Sequence, residues 1–303
     1  MSSFNELEAN SGTGAILLGP RCEVCLGNLG EDLIEMVGCE AIGSQKTHIR
    51  SEIKRILANV AMERRPTPDA ANDILRLIKG VSGIEDFHQA VKSREMALAA
   101  SVYESVRERI GKDFRSLANL AVLGNGFDFF RSPEDAMNDV VEQAGRDLDY
   151  FHDDLDRLQD FLANDPGTIL YLTDNAGEIF FDLPLFQHIQ KKARRTVLVV
   201  KGGPSLNDLS VAEIESLSFK GMFHDIMNTG TDGCGIDWRG VSPEFVALVE
   251  KADLIVSKGM ANFETVYFRD LKIPAFFLFM TKCQVVADYF GAPLNSAIGL
   301  WKD

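Results

Sequence analysis

From about residue 165 to the C-terminus, short apolar runs alternate with stretches of helical period. Runs at 168–173, 196–201, 222–227, 253–257 and 274–280 are strand-sized. They are apolar almost throughout, as expected of strands covered on both faces. Helical patterns occupy 178–193, 208–216, 243–251, 262–270 and 283–290. Strand–helix alternation of this kind predicts an α/β fold, a mostly parallel sheet with helices on both faces.

The first half of the chain has a different texture. Residues 1–20 show no period and are expected to form a loose tail. From about 32 to 128 the pattern is helical: Ile49, Ile53, Ile56, Leu57 and Val60 fall on one face of 46–63. Thr67-Pro68-Asp69 is a helix start, and Gly80 and Gly83 are expected to end that helix. Residues 87–110 read as one long helix. A further helical stretch, 134–162, is rich in acids, among them Asp147, Asp149, Asp153, Asp154, Asp156 and Asp160; a solvated face explains them better than a metal cluster. No strand is expected before 165. The division is a tail at 1–20, a helical domain at 21–163 and an α/β domain at 164–303.

The chain has 303 residues, is 46% hydrophobic and carries a formal net charge of −14. A core of useful size follows without cross-links. The negative charge disfavours nucleic acid and anionic membranes as partners. No run approaches the ~20 apolar residues of a membrane span. The acidic start lacks the basic region of a signal peptide, so a cytoplasmic location is expected. Five cysteines fit reduced thiols. Cys22 and Cys25 form a Cys-x2-Cys that Cys39 and His48 could extend into a zinc site. Without a second such pair, packed thiols are the simpler expectation.

Candidate chemistry gathers at the predicted strand ends. The first strand runs into Asp174-Asn175, with Glu178 one turn later. Asn207-Asp208 follow the second strand, and Gly-rich segments follow the second and third. Lys258 and Asn262 follow the fourth, and Lys282 the fifth. In a parallel sheet all would share the carboxyl edge, where such folds bind ligands. Carboxylates and amides are hard oxygen donors suited to Mg²⁺ or Mn²⁺. The lysines and Gly-flanked N–H groups suit a phosphate. Asp174 as a simple helix cap is the plainer alternative for that residue. Walker, zincin and nucleophile-elbow motifs are absent.

Taken together these strings resemble the damage-control phosphatase family, also known as domain of unknown function 89. The matching segments are Asp174-Asn-Ala-Gly-Glu-Ile179 with Asp182, Leu206-Asn-Asp208, the run 253–264 and Lys282-Cys283. In the helical half, Gly124-Asn125-Gly126-Phe127-Asp128-Phe129 matches, and Cys22-x-x-Cys25 resembles the stand-alone microbial branch. The stretch 84–92 lacks the family's Pro and following Asn. The resemblance implies an all-helical N-terminal domain joined to a Rossmann-like α/β domain. It implies a divalent metal (Mg²⁺ or Mn²⁺, with Ni²⁺ or Co²⁺ in some members) held by Asp174, Asn175 and Asp208. Asn125, Asp128, Glu178, Asn207, Lys258, Asn262 and Lys282 would line the pocket, and Asp174, Asp208, Lys258 and Lys282 would carry catalysis. The substrates implied are small phosphorylated metabolites. The rival readings are an S-adenosylmethionine-dependent carboxyl methyltransferase and a non-catalytic phospholigand-binding module.

Overall fold

The computed structural model describes residues 15–38, 43–126 and 133–303. The helical half contains α1 (Pro20–Val37), α2 (Lys46–Met62), α3 (Thr67–Ser82), α4 (Gln89–Val106), α5 (Phe114–Gly124) and α6 (Pro133–Gln143). The stripe Ile49, Ile53, Leu57 and Val60 is buried against α1 and α3. Pro68 sits in the first turn of α3. That helix runs through Gly80 and stops only at Gly83, whose φ of 71° suits a residue without a Cβ. Asp113 caps α5 by accepting a hydrogen bond from Ser116 N at 3.0 Å.

The second half alternates β2 (Thr168–Leu172), α8 (Ile179–Gln190), β3 (Arg195–Val200), α9 (Val211–Ser216), β4 (Ile226–Asn228), α10 (Pro243–Val249), β5 (Leu254–Lys258), α11 (Met260–Val266), β6 (Ala275–Met280), α12 (Gln284–Phe290) and β7 (Ala297–Lys302). Before it come β1 (Tyr150–Asp153) and α7 (Leu155–Leu162). The seven-stranded sheet has the order β1-β7-β6-β5-β2-β3-β4. Every neighbouring pair is parallel except β6 and β7. Side chains alternate between faces, as the pleat requires. Ile169 and Tyr171 pack with α5, α7 and α8, while Leu170 and Leu172 pack with α10 and α11.

The chain leaves β2 towards β3 and β4, then returns to build β5 and β6 on the other side. The carboxyl ends of β2 and β5 therefore flank the topological switch point, where the diverging connections open a crevice.

Two expectations are corrected. A strand does precede residue 165: β1 lies within the stretch read as helical and pairs with β7. The acids around it are, as expected, on a solvated face, with Asp147, Asp149, Asp153, Asp156 and Asp160 exposed. Gly80 does not end its helix. Among the described residues no helix is long and apolar enough to cross a membrane.

Candidate active site

The turn after β2 and the loop before α9 meet directly. Asn175 and Asp208 form an isolated antiparallel bridge. Ala176 N donates to Asn207 O and Leu209 N donates to Asp174 O, each at 2.8 Å. Backbone bonds thus bring Asp174, Asn175 and Asp208 together, all three buried to 6% exposure or less. Gly259, at the end of β5, is the close neighbour on the other side of the switch point.

Asn125, at the C-terminal end of α5, is fully buried. Its Nδ2 donates to Asp174 Oδ2 at 3.0 Å and to Glu178 Oε1 at 2.7 Å. Its Oδ1 accepts from Met280 N at 3.0 Å. Asn175 Nδ2 also donates to Glu178 Oε1, at 2.8 Å. Glu178 therefore engages the nitrogen of both amides, and of the Asn175 side chain the carbonyl oxygen is the atom of the type a cation takes.

Lys258 is fully buried. Its ammonium donates to Glu178 Oε2 at 3.0 Å, Asp182 Oδ1 at 2.7 Å and the Ala121 carbonyl at 3.0 Å. The expectation pairs Lys258 with a phosphate; in the fold its three protons are directed to groups of the protein. Lys282, half-buried just after β6, supplies positive charge to the same cluster, pulling the acids Glu95, Glu178 and Asp208 downward against burial. Asn262 Nδ2 donates to Thr173 O at 2.9 Å and Lys258 O at 2.7 Å, tying β2 to β5. Asn207 Nδ2 donates to Glu95 Oε2 at 3.2 Å. Asp128 lies outside the described residues.

Two charged groups at the site have no counterpart in the sequence reading. Lys201 donates to Gly235 O at 2.5 Å and Asn262 Oδ1 at 3.3 Å, and its Nζ is 3.5 Å from Asp208 Oδ2. Glu95 reaches in from α4. A signal for it exists: Lys92 and Glu95 fall in register with the buried stripe Ala99, Val102 and Val106, and charges on a buried stripe call for partners.

Burial pushes Glu178 up to about 8, and Glu95 and Asp208 up to about 7 each. Positive charge is too scarce to offset that burial. Among the described residues, Glu95, Asp174, Glu178, Asp182 and Asp208 face the three lysines Lys201, Lys258 and Lys282. Apart from the Lys201 ammonium at 3.5 Å, Asp208 Oδ2 meets no hydrogen-bond donor among the described residues. A divalent cation would cancel the formal imbalance, and the acid and amide oxygens are the donor types it prefers. Among the described residues no group of three or more His, Cys, Asp or Glu is placed to hold a metal. That leaves two carboxylates and an amide as the donor set. Cys22 and Cys25 lie together in α1, and Cys39 is outside the described residues.

The fold is an α/β scaffold of N-terminal helices and a mostly parallel sheet, with buried acid and amide side chains gathered at its switch point. The chain belongs to the damage-control phosphatase ARMT1-like family, whose domain model matches residues 20–298. It is 30% identical over 257 residues to a protein named damage-control phosphatase from Archaeoglobus fulgidus, covering 82% of this chain and 86% of that one. It is 30% identical over 287 residues to damage-control phosphatase PH1575 of Pyrococcus horikoshii, covering 91% and 95%. The crystal structure of PH1575, described as a DUF89 family protein, superposes with a TM-score of 0.81 at 27% identity, covering 95% of this chain and 99% of that one.

Proposed function

We propose that this chain is a metal-dependent phosphatase acting on small phosphorylated metabolites. The observation that carries the reading is the bridge between Asn175 and Asp208, which gathers Asp174, Asn175 and Asp208 at the carboxyl edge of the sheet. Those three residues would hold a divalent cation, Mg²⁺ or Mn²⁺ first, with Ni²⁺ or Co²⁺ as further candidates. Such an ion, when bound, supplies Lewis-acid stabilisation of charge developing on a phosphoryl group.

The protein's own residues do the rest. Asn125 orients the Asp174 carboxylate through its hydrogen bond to Oδ2. Glu178 orients the Asn175 amide. Lys258 offsets part of the charge of Glu178 and Asp182, and the cation would offset the negative charge that remains before a phosphate enters. Lys282, the least enclosed lysine of the cluster, is the one to meet the phosphoryl oxygens. The relatives named damage-control phosphatases support the same reaction class.

The methyltransferase reading calls for a ribose-binding acid after the second parallel strand. Here β3 runs into Lys201-Gly202-Gly203, and Asp208 is held by a backbone bridge to Asn175 with its side chain beside Lys201, which favours the phosphatase. The test is p-nitrophenyl phosphate hydrolysis with Mg²⁺, Mn²⁺, Co²⁺ or Ni²⁺ and with chelator, on wild type, Asp174→Ala and Asp208→Ala. Metal-dependent turnover lost in both variants is expected. Full activity of both with Mn²⁺ would remove the ligand assignment. Metal-dependent phosphate binding without turnover would favour the non-catalytic module.

A further inference from the structure

The helical half sends one carboxylate between the two loops that carry the proposed ligands. Glu95 of α4 is 2% exposed. Its Oε1 accepts from Gly177 N at 3.1 Å and its Oε2 from Asn207 Nδ2 at 3.2 Å. Gly177 lies two residues after Asn175, and Asn207 immediately precedes Asp208. One side chain thus spans both loops, just beyond the backbone bonds that join them.

The chain is shaped to admit this contact. A Cβ on Gly177 would lie 2.8 Å from Glu95 Cγ and 2.9 Å from Oε1, so any larger residue there would displace the carboxylate. Gly177 is buried within the short turn 176–178 that leads into α8. A buried carboxylate is costly unless its oxygens are hydrogen-bonded, and here each oxygen has an amide donor. Glu95 reaches Asp174 and Asp208 through Gly177 and Asn207 rather than by direct contact.

We propose that Glu95 is a positioning residue, which fixes the spacing between the Asp174-Asn175 turn and Asp208 from the helical half of the molecule. It acts by reach rather than by charge. The consequence for a cation rests on the metal reading above; the pinning of the two loops does not.

Two conservative variants separate reach from charge. Glu95→Asp keeps the charge and shortens the side chain. Glu95→Gln keeps the length: its carbonyl accepts from Gly177, and its amide donates to Asn207 once that amide has turned over. Mn²⁺ affinity is measured by calorimetry on the whole protein, and hydrogen exchange at Gly177 and across 205–209 is measured without metal. Removing the support of a metal ligand typically costs about 10–100-fold in affinity. Glu95→Asp is expected to weaken Mn²⁺ by about tenfold or more and to speed exchange at Gly177, with Glu95→Gln close to wild type in both. Equal or reversed ranking of the two variants overturns the proposal. If wild type takes up no Mn²⁺, the metal reading fails, and exchange still decides: faster exchange in Glu95→Asp alone supports pinning, and unchanged exchange overturns it.

Discussion

Gly259 stands against the carboxyl group of Asp174 so closely that a Cβ at position 259 would overlap it. The backbone there has φ +82°, a conformation that side chains resist. Both facts arise because β5 must turn into α11 beside the end of β2, where the switch point crowds the two strand ends. Gly259→Ala should therefore cost about 2 kcal/mol or more of stability and displace Asp174. Misplacing a reacting group by about 1 Å can cost about 100-fold in rate. Urea melts and p-nitrophenyl phosphate kinetics on the purified variant check both; wild-type kinetics would show that the Asp174 carboxyl is free to relocate.

Lys258 serves the interior. With no exposed surface, it is the countercharge of Glu178 and Asp182, which it meets at 3.0 and 2.7 Å. Removing one partner of a buried charge cluster typically costs about 3–5 kcal/mol, because the others are left uncompensated. Lys258→Met is expected to lose stability on that scale. Adding Asp182→Asn to it should recover part of the loss, since one fewer carboxylate then lacks its partner. Chemical denaturation of the single and double variants decides; an additive double variant would mean that Lys258 and Asp182 are not coupled.

The parts of the fold that could be read from the chain are those with local causes. β2, β3, β5 and β6 are apolar on both faces, so they stand out as runs. β1 does not: Tyr-Phe-His-Asp is brief, flanked by acids, and is a strand only because β7 lies beside it. β7 is distant from β1 in sequence, and its antiparallel pairing with β6 reverses the trend of the sheet. The candidate site divides the same way. Asp174, Asn175 and Asp208 were legible because they follow strands. The surroundings of Lys258 were not, because a residue's position at a strand end does not say whether its side chain faces the crevice or the core. Lys201 also follows a strand, β3, yet nothing in the sequence says that its side chain turns to Asp208, and Glu95 comes to the site through packing between elements remote in sequence. Only a charge in step with an apolar stripe marked Glu95.

Asn72 of α3 joins the helical half to the Gly-rich loop after β4. Its Oδ1 accepts from Cys234 N at 2.8 Å and its Nδ2 donates to Cys234 O at 3.2 Å. Both backbone groups are buried, and each left unpaired costs about 1–3 kcal/mol. Asn72→Ala is expected to lower stability by about 2–4 kcal/mol on that basis. Amide exchange at Cys234 should accelerate more than exchange at Gly177, which is held from α4. Equal protection at Cys234 in variant and wild type would show that the loop is held by other means.

His88 makes acid stability testable. Burial pushes its imidazole down to about 4 from an ordinary 6.5, with Asp86 partly opposing and Lys92 and Lys79 reinforcing the depression. A group whose folded pKa is depressed in this way binds its proton more readily in the unfolded chain. Its contribution is complete above the unfolded value and is lost as pH falls from about 6.5 towards 4. The loss integrates to about 3 kcal/mol at most, since each tenfold difference in proton affinity between the folded and unfolded chains is worth about 1.4 kcal/mol. In His88→Gln this titration is absent. The stability difference between wild type and variant should therefore be constant above pH 7 and move against wild type by up to about 3 kcal/mol between about pH 6.5 and 4. Urea midpoints measured for both proteins across that range provide the check. A difference independent of pH would mean that His88 keeps its ordinary affinity for a proton in the fold, and one that moved in favour of wild type as pH fell would mean that it is protonated there, paired to Asp86.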